Sequence, residues 1–250
     1  MPRWFTRLGY AWRRHGLIGF AWLIGHNIKY DVRRWYKSAK ISPQTDLFDE
    51  KYGTETRGLR DIGSLDVIAL PTARYAERYE PSSAELVRSQ LEKLEIDYQR
   101  FSFIDFGSGK GRALLVAAGF PFKEVVGIEF SRELHEIALQ NIARIPPALT
   151  RADTIRSIHS DVTAFEPPKS DLVCYFYNPF GPPVMAAVAA RLAAHHANYG
   201  YRIIIIYVDP RHRQTFEQTQ KFAVLDDSPA FLILTTLRKS DARTAGECAI

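Results

Sequence analysis

The residues of this chain best spaced for chemistry lie in Phe103-Ile104-Asp105-Phe106-Gly107-Ser108-Gly109-Lys110-Gly111-Arg112. An apolar run closes on Asp105, three glycines follow at alternate positions, and Ala113-Leu114-Leu115-Val116-Ala117-Ala118 reads as a helix. A buried strand entering a glycine-rich turn and then a helix builds a cofactor cradle. The missing side chains let a ligand approach the main chain, and the helix start offers N–H groups. Eighteen positions after Gly111, Val125-Val126-Gly127-Ile128-Glu129 reads as a second strand ending in a carboxylate, suited to accept both ribose hydroxyls of a nucleoside. Beyond a third strand, Asp161 in His159-Ser160-Asp161-Val162 is set to accept from an adenine amino group, with Phe130 and Val162 as apolar walls. Capping a turn is the other role open to Asp161.

Two familiar cradles do not match. A phosphate-binding P-loop needs Gly-x-x-x-x-Gly-Lys-[Ser/Thr], but here Lys110 stands between two glycines and no hydroxyl follows it. A dinucleotide fingerprint needs Gly-x-Gly-x-x-Gly, and Arg112 occupies the place of the third glycine. What stands is Asp105-x-Gly107-x-Gly109-x-Gly111.

The elements that must position these residues alternate regularly. Strand 103–106 precedes helix 111–118, strand 125–130 precedes helix 132–144, and strand 155–159 leads to the loop of Asp161. Strand 171–177 precedes helix 183–197, and strand 201–208 precedes a short helix near 211–220. Alternation of this kind predicts a parallel sheet covered on both faces. The last two strands, 222–225 and 231–237, are joined by only five residues, which permits a hairpin and forbids a parallel crossover. Upstream, 42–80 reads as loop-rich, and Ser83 to Leu94 as an amphipathic helix.

The glycine motif resembles the first motif of Rossmann-like methyltransferases that use S-adenosylmethionine. Over roughly residues 48–238 the chain is similar to bacterial members carrying a FxDxGSGKGR … VxGxE core, and more distantly to lysine methyltransferases without a SET domain. The resemblance implies a seven-stranded sheet, mostly parallel, with a C-terminal antiparallel hairpin. It implies S-adenosyl-L-methionine as cofactor, held by the turn from Asp105 through Phe106, Gly107, Ser108, Gly109 and Gly111, by Glu129 and Phe130, and by Asp161 and Val162. Tyr79 and Glu80, with Arg57, lie upstream where they can close over the methionine end, and the turn's N–H groups and Lys110 are left for its carboxylate.

Methyl transfer belongs at the carboxyl edge of the sheet, where the fourth strand ends in Tyr177-Asn178-Pro179-Phe180. Asn178-Pro179-Phe180 resembles the [Asp/Asn/Ser]-Pro-Pro-[Tyr/Phe] motif of amino-group methyltransferases, with one proline instead of two, and Tyr177 stands beside it. These four residues are expected to hold the acceptor, through nitrogen of a protein lysine or a small amine. A nicotinamide-dependent oxidoreductase and a non-catalytic cofactor-binding module are the rival readings. Arg112 and the terminal hairpin count against the first.

Composition bounds the rest. The chain has 250 residues, 46% of them hydrophobic, enough for one core with an extension. Its two cysteines, Cys174 and Cys248, form neither a zinc motif nor a disulfide framework, and no metal is expected. A reducing, cytoplasmic compartment is implied, with peripheral attachment to a membrane as a variant. Of the net charge of +5, residues 1–40 supply nine Lys/Arg against one Asp, leaving the body mildly acidic and a poor match for nucleic acid.

All four tryptophans, Trp4, Trp12, Trp22 and Trp35, fall in that basic stretch. Trp4, Phe5, Leu8, Ala11 and Trp12 share one side of a helical wheel and Arg3, Arg7 and Arg14 another, while Leu17–Ile24 is far short of the ~20 residues that span a bilayer. Three units are therefore expected: an amphipathic helical extension over 1–41, the methyltransferase domain over 42–240, and a tail over 241–250. The extension's apolar side suits an anionic membrane surface, a protein partner, or the body itself. Deleting residues 1–37 is expected to leave cofactor affinity intact and to lower retention on anionic vesicles. Vesicle binding that survives the deletion rules out the lipid option.

Overall fold

Every residue of the strand Phe101–Phe106 (β1) is buried, which demands cover on both faces of whatever sheet contains it. The structure, a computed structural model, describes residues 47–58, 60, 75–76, 79–228 and 230–236. The expected extension over 1–41, the tail over 241–250 and most of 59–78 lie outside the described residues. In chain order the described elements are α1 (Phe48–Tyr52), α2 (Ala84–Glu92), β1, α3 (Arg112–Ala117), β2 (Glu124–Glu129), α4 (Arg132–Arg144), β3 (Ile155–His159) and β4 (Asp171–Tyr177). These are followed by α5 (Pro182–Tyr199), β5 (Ile203–Val208), α6 (Gln214–Glu217), β6 (Phe222–Asp227) and β7 (Phe231–Thr236).

The seven strands form one sheet in the order β3-β2-β1-β4-β5-β7-β6. The first five run parallel, and β7 lies antiparallel to both β5 and β6. This is the fold expected from the sequence, including its terminal hairpin. The connection within that hairpin is tighter than the apolar runs suggest. Pairing continues through Asp226 and Asp227 because Leu225 is bulged out between Val224 and Asp226, so only residues 228–230 turn the chain.

Alternation along each strand divides the core in two. Phe103, Val125, Val173, Ile204 and Ile206 pack with Leu91 of α2 and Leu115 of α3. Ile104, Val126, Cys174, Phe176 and Ile205 pack on the other face with Met185 and Leu192 of α5. Ile203–Ile206 thus has no polar face because β5 is an interior strand. Serines start two of the helices: Ser83 Oγ accepts the Leu86 N–H and Ser131 Oγ the Leu134 N–H. Among the described residues no helix is long and apolar enough to cross a membrane.

Strand order reverses between β1 and β4, which opens a crevice at the carboxyl edge of the sheet. Gly127 of β2 makes the floor of that crevice possible. A Cβ there would stand 2.6 Å from Ser108 Oγ and 2.7 Å from Leu114 Cδ1. Gly127→Ala is therefore expected to destabilise the fold by about 1–3 kcal/mol through overpacking, read from its denaturant midpoint. An unchanged midpoint would show that the turn does not rest on β2 as described.

Candidate active site

Asp105 lies in register with Gly127 of β2 on one side and Tyr175 of β4 on the other. Since alternate residues share a face, Asp105, Glu129, Tyr175 and Tyr177 all project to the same side at the carboxyl edge. They line one cleft with Tyr79, Glu80, Ser82, Gly107, Ser108, Phe130, Pro179 and Phe180, whose empty volume is about 640 Å³ including its open mouth. That is within the range of small-molecule sites.

The turn after β1 folds over the end of β2. The Gly107 and Ser108 amides both donate to the Ile128 carbonyl at 3.0 Å, and the Gly109 amide donates to Glu129 Oε2 at 2.7 Å. Gly107 has φ +84°, and a Cβ there would lie 2.9 Å from Pro179 Cβ; Gly109 has φ +54°, and its Cβ would run into the Tyr79 ring. Both positions thus require glycine for backbone conformation and for close approach. The Gly111 amide is closed on the Ser108 carbonyl.

These bonds correct one expectation. The amides of Gly107, Ser108, Gly109 and Gly111 already have acceptors, so they are not left for a ligand's carboxylate. Lys110 is buried and points elsewhere: its Nζ donates to Glu55 Oε1 at 3.0 Å and to the Arg57 carbonyl at 2.9 Å. The reason is that the turn has a second neighbour, the segment after α1. Asn141 of α4 accepts the Glu55 amide and donates to the Glu55 and Lys110 carbonyls, tying that segment to the turn.

Two carboxyl groups dominate the cleft's electrostatics. Glu129, 3% exposed, accepts from the Gly109 and Ser131 amides, yet burial outweighs those bonds and raises it to about 7. Asp105, 4% exposed, receives no hydrogen bond among the described residues; burial first, and then the charge of Glu129, push it up to about 8.

At the other end, Asn178 is buried with φ +39°, and its Oδ1 has no hydrogen-bond partner among the described residues. Such an atom is costly unless a ligand satisfies it. Tyr177 donates to Glu80 Oε1 at 3.2 Å, and Tyr175 to Ser82 Oγ at 3.0 Å. Burial raises both phenols well above their ordinary range, so both stay protonated. Residues 75–76 cross beside Phe180, which pairs with Ala76, while Gly181 donates to the Tyr75 carbonyl at 2.6 Å.

The structure therefore gathers Asp105, Gly107, Ser108, Glu129, Phe130, Tyr79, Glu80, Tyr177, Pro179 and Phe180 at one cleft. It does not bring Gly109, Gly111, Asn178, Asp161 and Val162 into its lining. Asp161 Oδ1 accepts both the amide and the hydroxyl of Thr163 at 2.7 Å, the turn role, and Val162 is buried in the core under β1 and β2. Phe106 likewise packs in the core, stacked on Phe176. Sequence reasoning missed Ser82, Ala113 and Leu134, which line the cleft without belonging to any motif. It also missed Asp49, Thr56 and Asn141, whose only signal was a polar residue within a helix or a Thr-rich loop.

No family model matches the chain, and no curated protein matches it. Among solved structures it is similar to a ribosomal protein L11 methylase from Lactobacillus delbrueckii subsp. bulgaricus, at 18% identity over 62% of this chain and 76% of that one, with a TM-score of 0.42. It is also similar to an RNA methyltransferase from Salinibacter ruber in complex with S-adenosyl-L-homocysteine, at 18% identity, 64% and 95% coverage and a TM-score of 0.44. A third is the glycopeptide N-methyltransferase MtfA, at 12% identity, 62% and 90% coverage and a TM-score of 0.46.

The two raised carboxyls carry a stability consequence. Between the ordinary carboxylate range and pH 8 the folded protein holds protons that the unfolded chain releases, so its stability falls as pH rises through that window. Asp105→Asn, a neutral isostere, is expected to melt a few degrees higher than the parent at pH 8.5, with the gap closing towards pH 5. An equal melting temperature at pH 8.5 would mean that Asp105 ionises in the fold at little cost.

Proposed function

We propose that this protein is an S-adenosylmethionine-dependent methyltransferase acting on an acceptor nitrogen, of a protein lysine or a small amine. The observation that carries the reading is the charge of the cleft. At the glycine turn it presents two buried carboxyls, while Lys110 and Arg112 engage Glu55, Thr56 and Asp49, and the turn's amides are already bonded. A pyrophosphate would face two carboxyls and turn amides that are already bonded, with Arg112, the one cation in the lining among the described residues, held on Thr56 and beside Asp49. An organic cation carrying hydroxyl groups would meet acceptors. That favours an adenosyl sulfonium over a dinucleotide.

The residues present fit that cofactor. Gly107 and Gly109 leave bare main chain, Glu129 can accept ribose hydroxyls beside the Phe130 ring, and Asp105 can receive an ammonium group. S-adenosylmethionine, when bound, supplies an electrophilic methyl group on a sulfonium. Transfer to a nitrogen then needs alignment and dryness more than a strong base. Asn178 lies between Tyr177 and Pro179, which line the cleft. Its buried Oδ1 has no partner among the described residues and is the acceptor this reading assigns to an N–H of the incoming amine, and its left-handed backbone is strain of the kind found at working sites. Tyr177 and Phe180 flank it, and an apolar, aromatic setting favours the neutral amine that attacks.

In the same reading, residues 1–41 form a basic docking arm for an anionic membrane surface or a protein partner. The acceptor itself is set by groups at the mouth, Glu80 among them.

The test is labelled methyl transfer from S-adenosylmethionine into fractionated cell lysate. Label is expected in protein or small amines and is expected to be lost with Asn178→Ala, which should still bind the cofactor. Glu129→Ala should weaken cofactor binding by about 1–3 kcal/mol in calorimetry, the range for losing a charged hydrogen-bond partner. Unchanged affinity in that variant, or label confined to oxygen or carbon acceptors, overturns the respective assignment.

A further inference from the structure

Arg112 stands where a dinucleotide fingerprint would have its third glycine, and its side chain has a different task. The guanidinium is 5% exposed, its Nε donates to Thr56 Oγ1 at 2.6 Å, and a terminal nitrogen lies 3.8 Å from Asp49 Oδ2. It also sits over the Phe48 ring at 5.1 Å from the centroid. Asp49 accepts the Thr56 hydroxyl at 2.7 Å and the Thr56 amide at 2.9 Å, so Thr56 is gripped from both sides. Burial alone would raise the Asp49 carboxyl, but the Thr56 and Thr54 bonds and the Arg112 charge together hold it below its ordinary value. The pair is therefore ionised, with Arg112 buried and Asp49 half-buried, a combination that fixes geometry and tolerates poorly the loss of either partner.

What this grip delivers is Tyr79. The Thr56 carbonyl accepts the Tyr79 hydroxyl at 2.8 Å, the Lys110 amide donates towards the Tyr79 hydroxyl oxygen, and the ring covers the bare main chain of Gly109. Tyr79 has no part in either core cluster. Its backbone is bridged to Arg60, so what the hydroxyl tether fixes is the direction of the ring as a wall of the cleft, hence its dependence on where Thr56 is held. A wall fixed before binding spares the ligand the cost of ordering it.

We propose that Arg112 is a positioning residue that, through Thr56, fixes Tyr79 beside Gly109 and thereby sets the affinity for the amino-acid part of the cofactor. The inference rests on the S-adenosylmethionine reading, in which that part lies by Asp105, Gly107 and Gly109.

The test is calorimetry on the full chain with S-adenosylhomocysteine and with adenosine, which lacks the amino-acid part. The proteins are the parent, Arg112→Lys, Arg112→Met, Tyr79→Phe and the double variant Arg112→Met/Tyr79→Phe, each checked by thermal melt to be folded at the assay temperature. Arg112→Met should weaken S-adenosylhomocysteine at least tenfold and adenosine less than twofold, and Arg112→Lys should recover part of the loss. Tyr79→Phe should show the same selective loss, and the double variant should be no weaker than the weaker single one. Equal losses for both ligands, or losses that multiply in the double variant, overturn the proposal, because they describe general damage or two independent contacts. If Arg112→Met does not fold, Arg112→Lys and Tyr79→Phe carry the same comparison. A parent chain that binds neither ligand removes the cofactor reading first, and this inference with it.

Discussion

The Gly109 amide donates to Glu129 while the Gly107 and Ser108 amides share the Ile128 carbonyl, so the turn after β1 is laced to the last two residues of β2. This closure fixes most of the carboxyl edge. It needs Gly127 to be bare so that Ser108 and Leu114 can settle over β2, and it needs Gly107 to be bare so that Pro179 can settle on the turn from the β4 side. Strands β2, β1 and β4 are thereby bound at their ends as well as along their ladders. A site assembled from three strand ends gains the rigidity of the sheet, which is what alignment of two reacting groups requires.

The same closure decides the charge of the site. By consuming its own amides, the turn gives up anion binding, although a glycine-rich loop before a helix is elsewhere well suited to it. With Lys110 and Arg112 drawn towards the segment after α1, Asp105 and Glu129 have no ion-pair partner among the described residues. Their raised proton affinities are the mark of a place where charge is missing. A ligand that brings positive charge restores what the fold lacks, so binding and ionisation of these carboxyls favour one another. Keeping two such carboxyls in the fold costs stability, a common relation between function and stability.

The framework of this arrangement was legible in the sequence, and the reason is periodicity. Alternating apolar strands and helices define a doubly covered parallel sheet, and the short link before Phe231 allows only a hairpin. The positions of Asp105, Glu129 and Asn178 were legible too, because they are the penultimate residue of β1, the last of β2 and the first after β4, and the carboxyl edge is where strand ends meet. What stayed hidden depends on contacts distant in sequence. Nothing near Asp49 announces that it will meet Thr56 and Arg112, or that Lys110 will turn towards Glu55 instead of the cleft. Asp161 illustrates the opposite difficulty: its position after β3 suits adenine, but a threonine two residues on suits an Asx turn equally well, and the latter bond is the one observed.

The acceptor end turns on what a single proline can do. In a two-proline motif the second ring would occupy position 180, and an aromatic residue would follow at 181. Here Phe180 takes the first of these places and Gly181 the second. Pro179 alone makes the close contact with Gly107, and the Phe180 ring comes within 3.4 Å of the same position, so the turn is capped without another proline. Position 181 then carries no ring, but Tyr75 packs against it and accepts the Gly181 amide on its carbonyl. The aromatic element has moved from the motif to an upstream segment, while Asn178 keeps its strained backbone and unpartnered oxygen. The departure from the pattern thus changes which residues pack around the turn after β4 and leaves the Asn178 oxygen without a partner among the described residues.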